Sequence, residues 1–285
     1  MPLSDGTEQD GFETVAKTSR HAEEDLRCEA AALRWLAAAE KDGGIHVARV
    51  VSASPARLVE ERVRTGAPSC KAARHAGAGI ARMHAAGAPW YGCPPEGWPE
   101  GAPLGYALAA SFTPLVPKNE ARLSWGEFYG EQRLMPYARA LRDTGTFGHA
   151  ETALIERVVA RLVRGDFDAG QPDLVRESGR PCARLHGDLW AGNLLWDADR
   201  TETSGATLID PMAHGGHAET DLAMLALFGC PFFSDVIAGY EEASPLEDGW
   251  RERVGLHQLA PLLHHCVLFG GGYIAETLAV AGRYR

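Results

Sequence analysis

Lysine is scarce in this 285-residue chain: Lys17, Lys41, Lys71 and Lys118 are the whole complement, and arginine carries most of the basic charge. Acidic residues outnumber basic ones 38 to 28, which leaves a formal charge of −10. A nucleic-acid partner is not expected, because phosphate backbones are held mainly through an excess of Lys and Arg. A small anionic ligand remains open, since it needs only a local positive site. No apolar run reaches the roughly 18–20 residues of a membrane-spanning helix. Nor does a charged start followed by an apolar core mark a signal peptide. The six cysteines (Cys28, Cys70, Cys93, Cys182, Cys230 and Cys266) form no C-x-x-C pair and no Cys/His zinc spacing. Buried free thiols in a reducing compartment are expected, and with them a cytoplasmic protein without a membrane partner. Internal repeats, heptad arrays and low-complexity tracts are missing as well. What remains is an ordinary globular composition, 45% hydrophobic and 23% charged. The length suits one large domain or two lobes, each with a core.

Along the chain, LSDGT places a turn at Asp5-Gly6, and FETVAK alternates as a short strand ending at Lys17. Residues 23–39 are rich in helix formers, with Leu26, Ala30, Leu33 and Leu36 near helical spacing. HVARVVSA and ARLVEERV then read as two strands either side of SASP. From Ala67 the texture turns helical, with candidates at CKAARHAGAGIARMHAAG, at residues 123–145 and at residues 151–165. The Pro- and Gly-dense stretch at 91–107 reads as an irregular loop. LLW and ATLI form two short strands around DADRTETSG, and three more helical segments follow, the last of them HQLAPLLHHCVLFGGGYIAETL. The expected architecture is α+β: a small mixed lobe over residues 1–63 and a larger, mainly helical lobe over 64–285 that carries a two-stranded insert.

The chemistry-bearing residues collect around that insert. RLHGDLWAGNLLWD, residues 184–197, sets Asp188 and Asn193 in a loop before the LLW strand, and Asp210 follows ATLI directly. An Asp and an Asn at this spacing also suit a plain turn. If the two strands pair as a hairpin, however, all three residues meet at one end. Phosphoryl transfer needs such a cluster, with a carboxylate to align a hydroxyl and two oxygen ligands for Mg²⁺. Asp188 is then the base, and Asn193 and Asp210 are the metal ligands. A cation for the phosphates is expected from the small lobe, where Lys17 closes a strand and Glu29 lies in the next helix to hold it. A solvated surface lysine is the alternative. The pair His214 and His217 in HGGH lacks an evident third metal ligand. Glu60-Glu61 reads as hinge or solvated surface rather than as an acid/base dyad.

HGDLWAGNLLW, LIDP, GHAETDLAMLALFG and HQLAPLLHHCVLFGGGY resemble the fructosamine/ketosamine 3-kinase family. HGD-x-x-x-x-N with ID is common to the wider protein-kinase-like fold, shared with aminoglycoside and choline phosphotransferases. The Trp of DLW-[AS]-G-N, the W-x-x-F-Y…R-L of Trp125, Phe128, Tyr129, Arg133 and Leu134, and LLHHCVLFGGGY are narrower marks. The resemblance spans about Phe12 to Tyr273. It implies a two-lobe kinase-like fold and ATP-dependent phosphorylation of the 3-hydroxyl of a ketosamine, free or protein-bound, with ATP and Mg²⁺ as cofactors. It makes Asp188 the catalytic base, Asn193 and Asp210 the metal ligands, Lys17 the phosphate lysine and Glu29 its partner. LVEERV becomes the adenine-facing hinge, with Glu60, Glu61, Arg62 and Val63. Trp190 and His265 face the substrate, and His186 and Asp221 brace the catalytic loop; Glu219 and Asp221 match the family's E-x-D-L-A.

One departure concerns the glycine hairpin that precedes the phosphate lysine in this superfamily. Only sixteen residues lie before Lys17, holding Gly6 and Gly11. LSDGT resembles the tail of that hairpin's second strand, so its first strand and glycine turn are expected to be missing, at a cost in phosphate positioning and water exclusion. Two rival readings follow: another small-molecule kinase of the same fold, acting on an aminoglycoside, choline or a sugar, and a nucleotide-binding pseudokinase.

Overall fold

The computed structural model describes residues 8–9, 12–19, 24–108 and 111–285. LSDGT, Gly6 and Gly11 lie outside the described residues. Strands β1 (Glu8–Gln9) and β2 (Phe12–Thr18) come first, then helix α1 (Leu26–Ala37) and strands β3 (His46–Val47), β4 (Val50–Ser54) and β5 (Arg57–Glu61). Helix α2 (Cys70–Ala85) leads to a hairpin of β6 (Gly105–Leu108) and β7 (Ser111–Pro114). Helices α3 (Trp125–Tyr129), α4 (Met135–Asp143), α5 (His149–Val163) and α6 (Asp173–Glu177) follow. The insert comprises β8 (Ala183–Leu185), β9 (Leu194–Trp196), β10 (Ala206–Leu208) and β11 (His214–Gly216). Helices α7 (Glu219–Leu227), α8 (Phe233–Ala243), α9 (Trp250–His257), α10 (Leu259–Phe269) and α11 (Gly272–Ala281) close the chain.

Four strands form an antiparallel sheet in the order β1-β2-β5-β4, with Lys17 opposite Leu58 and Val15 opposite Glu60. The two-residue β1 pairs back onto the start of β2. The α1 helix begins where Asp25 accepts a hydrogen bond from the Arg27 backbone N–H, satisfying one of the free donors of its first turn. Its leucines and Ala30, Ala31 and Ala32 bury almost completely.

HVARVVSA, expected as one strand, is two. β3 pairs parallel with β10, whereas β4 pairs with β5 in the other sheet. The switch falls between Ala48, whose N–H donates to Leu208 O at 3.0 Å, and Arg49, whose carbonyl accepts from Glu61 N at 2.8 Å.

Small residues set how closely α2 and α8 pack. A Cβ on Gly77 would lie 1.9 Å from Val236 O, and one on Gly239 would lie 2.1 Å from Arg74 O. The two helix backbones touch, and only glycine fits at either contact. One buried core runs from Leu26 of α1 through α2 and the insert to Trp250 of α9, and a second joins α3, α4, α5, α10 and α11.

The helix expected over 123–145 is interrupted by one π-helical turn, Gly130–Leu134, between α3 and α4. The last helical segment breaks at Gly270 and Gly271, whose φ angles of +60° and +56° no regular helix adopts. The β6–β7 hairpin and the β8–β11 pair carry too few alternating residues to stand out from the loops around them. Of the six cysteines, Cys70 is exposed and Cys230 half-buried, so burial holds for the other four. Among the described residues no helix is long and apolar enough to cross a membrane.

Candidate active site

The loop 186–193 is hung from β8 and tied from beneath by one carboxylate. Asp221, in the first turn of α7, accepts from His186 N at 2.7 Å, Gly187 N at 2.9 Å and His84 Nε2 at 3.1 Å. Burial would raise its pKa, but His84, in contact with it, and the other donors hold the carboxyl below its ordinary value. His84 is fixed in turn through Nδ1 by Tyr240 OH at 2.9 Å. The His186 ring meets Ile209 O at 2.9 Å, which links the loop to the residue before Asp210, and burial keeps this imidazole neutral. Gly187 has φ +82°, and a Cβ there would lie 2.1 Å from Met212 O. The turn that presents Asp188 therefore requires glycine.

The β9–β10 hairpin does the gathering. Leu194 pairs with Leu208, and Ile209 N donates to Asn193 O at 3.1 Å, so the entry to β9 and the exit from β10 share one end. Asn193 Nδ2 donates to Asp188 O and Asp188 Oδ2, both at 2.9 Å, and more weakly to Asp210 O at 3.4 Å. With the amide nitrogen so engaged, Oδ1 is the side-chain atom Asn193 has left for a cation. Burial, reinforced by Asp210 and Asp221 and opposed by the Asn193 amide, lifts the Asp188 carboxyl to about 6. Asp210 has φ +52°, one of two non-glycine residues with positive φ among those described. Such conformations cost on the order of 1–3 kcal/mol and persist where the surroundings over-determine them.

Lys17 reaches this end from β2. Its Nζ lies 2.6 Å from Glu29 Oε1 and 2.9 Å from Glu60 Oε1, and it contacts Asp210 Oδ1 directly. Burial works against the ammonium, but the three carboxylates outweigh it and hold its pKa above the ordinary lysine value. Glu29 is pushed up to about 7, chiefly by burial.

The expectation of hinge or solvated surface for Glu60 and Glu61 needs correction. Glu60 is 2% exposed and joins the Lys17 cluster. Glu61 turns to the opposite face, where it meets His46 Nε2 at 3.0 Å and Arg200 Nη2 at 3.2 Å. Alternate strand residues face opposite sides of a sheet, so adjacent acids reach different partners. Glu61 N and Arg62 N are already given to Arg49 O and Glu13 O, each at 2.8 Å. Of the four residues expected at an adenine-facing hinge, Val63 alone lies outside these contacts.

Beside Asp188 opens a cleft of about 770 Å³, open solvent at its mouth included. Thr113, Arg133, Tyr137, His214, His264 and His265 are among the residues that line it. Trp190, 40% exposed, stands edge-on to Phe228 at 6.5 Å, and Phe228 packs on His265 at 5.1 Å. The loop's tryptophan and α10 thereby form one aromatic wall.

His214 and His217 do not come together as a metal pair. His214 lines the cleft and contacts Met212 O at 2.8 Å. His217 instead lies with Glu219 and His257, close enough in principle for an ion. Glu219, however, receives Arg253 through both oxygens, at 2.6 and 2.9 Å, and a guanidinium already occupies that charge.

Sequence reasoning missed His84, gave Arg133 no role beyond a family mark, and placed Glu60 at the hinge without its contact to Lys17. Alternation in β5 could have separated Glu60 from Glu61, but no local signal joins His84 to a partner 137 residues away.

The chain matches the family model for fructosamine kinase over residues 6–283. It is 32% identical over 162 residues to the ketosamine-3-kinase of Mus musculus, covering 57% of this chain and 47% of that one. The chain spans about half the length of the curated relatives it matches. A crystal structure provisionally named a fructosamine-3-kinase, from Thermobifida fusca, superposes with a TM-score of 0.79 at 35% identity, covering 100% of this chain and 93% of that one. The ADP-bound aminoglycoside phosphotransferase APH(2'')-Ib gives a TM-score of 0.56 at 12% identity, covering 100% and 94%, which is a likeness of fold. The fold is thus the two-lobe protein-kinase-like one. A family match over nearly the whole length, on a fold that hangs an HGD loop beside a strand-ending aspartate, places this chain in the fructosamine kinase family.

Proposed function

We propose that this chain transfers the γ-phosphoryl group of ATP to the 3-hydroxyl of a ketosamine, the adduct of a ketose with a free or protein-bound amine. The observation that carries the reading is the meeting of Lys17, Asp188, Asn193 and Asp210 beside a small-molecule cleft. We take residues 1–63 as the nucleotide-side lobe and 64–285 as the lobe that holds the acceptor. The scattered free thiols favour a cytoplasmic setting.

The residues fit a magnesium nucleotide. Asp210 and Asn193 Oδ1 are hard oxygen donors of the kind that ion takes. Among the described residues Lys17 is the one cation paired with the carboxyls of Glu29, Glu60 and Asp210, a surplus of acidic oxygens that a divalent cation would suit. When bound, Mg·ATP supplies the phosphoryl group and the charge neutralisation its transfer requires. Lys17, oriented by Glu29 and Glu60, holds phosphate oxygens. Asp188 accepts the hydrogen bond of the attacking hydroxyl and aligns it; a carboxyl lifted to about 6 is a better proton acceptor than an ordinary one and still ionised near pH 7. Asn193 keeps Asp188 in its rotamer through the 2.9 Å bond to Oδ2. His186 and Asp221 hold the loop. Trp190 and His265 offer the sugar and its amine an aromatic wall, suited to C–H groups and to a cation. C3 is α to the C2 carbonyl and β to the amine-bearing C1, so loss of a C1 proton gives the 1,2-enaminol, inorganic phosphate leaves C3, and hydrolysis of the resulting C1 imine releases the amine. The biological reading is deglycation repair.

The test is ADP release with Mg·ATP on ribulosyl-lysine and fructosyl-lysine, with choline and an aminoglycoside alongside. Turnover of the ketosamines alone supports the proposal. Turnover of choline or the aminoglycoside in preference assigns another small-molecule kinase, and nucleotide binding without turnover on the whole panel a pseudokinase.

A further inference from the structure

Arg133 is a buried cation with no anion. It sits in the π-helical turn between α3 and α4, lines the cleft shared with Asp188, and is 5% exposed. Nη1 donates to Pro114 O at 2.8 Å and Gln132 O at 3.0 Å, and the guanidinium lies 4.6 Å over the Phe128 ring. Nε and Nη2 are buried without a hydrogen-bond partner among the described residues. No carboxylate pairs with this arginine among the described residues. The titratable groups that act on it are Tyr137, Tyr129 and Tyr106, each made harder to ionise by burial. Removing a guanidinium from water without a counter-charge costs several kcal/mol, and buried unsatisfied donors are rare enough to need a cause.

The two idle nitrogens define the chemistry. Nε and Nη2 project their N–H bonds side by side from one edge of the guanidinium, the geometry that receives two oxygens of one carboxylate or phosphate. A π-turn places an extra residue in the helix and is often found at functional positions. Here it runs directly into α4 and puts Arg133, two residues before that helix, on the cleft wall. Thr113 and Tyr137, hydrogen-bonded to each other at 2.7 Å, line the same cleft without contributing charge.

We propose that Arg133 is an anion-binding residue of the acceptor cleft, and that the cleft takes ketosamines that themselves carry an anionic group. This rests on the kinase reading above and narrows its substrate class. The anion has two possible sources: the carboxylate of a free amino acid glycated at its α-amino group, or a phosphate on the sugar. Fructosyl-lysine within a protein chain carries neither close to the sugar, so it is the poorer substrate.

The experiment compares kcat/KM for fructosyl-glycine, fructosyl-glycinamide and 6-phosphofructosyl-glycinamide, on the unaltered protein and on Arg133→Gln and Arg133→Lys. Calorimetric titration of each compound is run in parallel. On the unaltered protein, an anionic adduct is expected to exceed fructosyl-glycinamide by about tenfold to a hundredfold, the worth of a charged hydrogen-bonded pair. Whichever anionic compound shows the advantage names the source. The advantage should vanish in Arg133→Gln and return in part in Arg133→Lys, whereas a merely structural arginine would lower all three substrates together. Equal values for the three compounds on the unaltered protein overturn the inference without any variant, so a misfolded Arg133→Gln cannot rescue it. An advantage that survives in folded Arg133→Gln overturns it too. If none of the compounds turns over, it is the kinase reading that fails, and the titrations decide for Arg133. Tighter binding of an anionic adduct that depends on Arg133 supports the inference; uniform or absent binding refutes it.

Discussion

Lys17 and Glu60 are diagonal neighbours on one face of the β2–β5 pair, with Nζ 2.9 Å from Oε1, and the carboxylate's other oxygen has no partner. The lysine therefore answers to Glu60 as well as to Glu29 and Asp210. Replacing it with methionine would leave three carboxylates facing each other, and breaking a buried ion pair in this way costs about 3–5 kcal/mol. Lys17→Met is expected to lower Tm and to abolish productive ATP binding. Adding Glu60→Gln should recover much of the stability but none of the turnover. A double variant no more stable than Lys17→Met would show that Glu60 is not part of the charge balance.

Asp188→Asn keeps the shape of the loop, since Asn193 can still donate to the residue's backbone oxygen. Activity should fall by about 10²- to 10⁴-fold, the usual contribution of a positioned base, with nucleotide affinity and Tm little changed. Wild-type turnover in this variant would remove Asp188 from the mechanism.

Gly187→Ala meets Met212 O at 2.1 Å from a backbone with φ +82°. The left-handed conformation alone costs a residue with a Cβ about 1–2 kcal/mol, and the clash must displace backbone. Reduced Tm and a loss of kcat greater than any change in KM for ATP are expected. Unaltered kinetics would mean that the loop tolerates a different path.

Asp221→Asn replaces a carboxylate that holds three donors with an amide carrying a single acceptor oxygen. His84 and one loop N–H would compete for it, at a cost of about 1–3 kcal/mol for each buried donor stranded. Tm and kcat should fall together while KM for ATP stays near its original value. His84→Leu should reproduce a milder form of the same defect, and a fall in KM-dependent terms alone would contradict a bracing role.

Stability should decline in acid in two overlapping ranges. His217 is buried, and its pKa is depressed from 6.5 to about 4. Unfolded chains then bind a proton that folded ones refuse, and stability falls as pH drops from 6.5 toward 4. Burial alone would raise Glu219, but His257 and Arg253 lower it from 4.5 to about 2, so its contribution, full above 4.5, is lost between those values. The histidine contribution is on the order of 2–3 kcal/mol. Unfolding curves between pH 7 and 4.5 should show a shallower fall for His217→Asn than for the unaltered protein; parallel curves would assign the acid sensitivity elsewhere.

What could be read from the sequence was whatever a short window contains. Asp188, Asn193 and Asp210 were legible because two three-residue strands and a polar turn imply a hairpin, and a hairpin brings its flanking residues to one end. Lys17 and Glu29 could be paired because a strand end and the next helix are close in sequence. Arg133 stood out only as a repeated mark, since a π-turn inside a helical stretch leaves the apolar spacing almost intact. His84 was invisible for a different reason: it reads as one more residue of an alanine-rich helix until α2 packs beneath the loop. The single strand expected at HVARVVSA failed because β-propensity says nothing about which sheet a residue joins.

That broken strand also joins the two sheets that build the cluster. Ala48 is hydrogen-bonded to the hairpin that carries Asp210, and Arg49 to the strand that carries Glu60. One peptide link thus separates chain anchored to the hairpin of Asp210 from chain anchored to the sheet of Lys17. The same short stretch of backbone fastens the hairpin that ends in Asp210 and the sheet that holds Lys17 and Glu60 to each other.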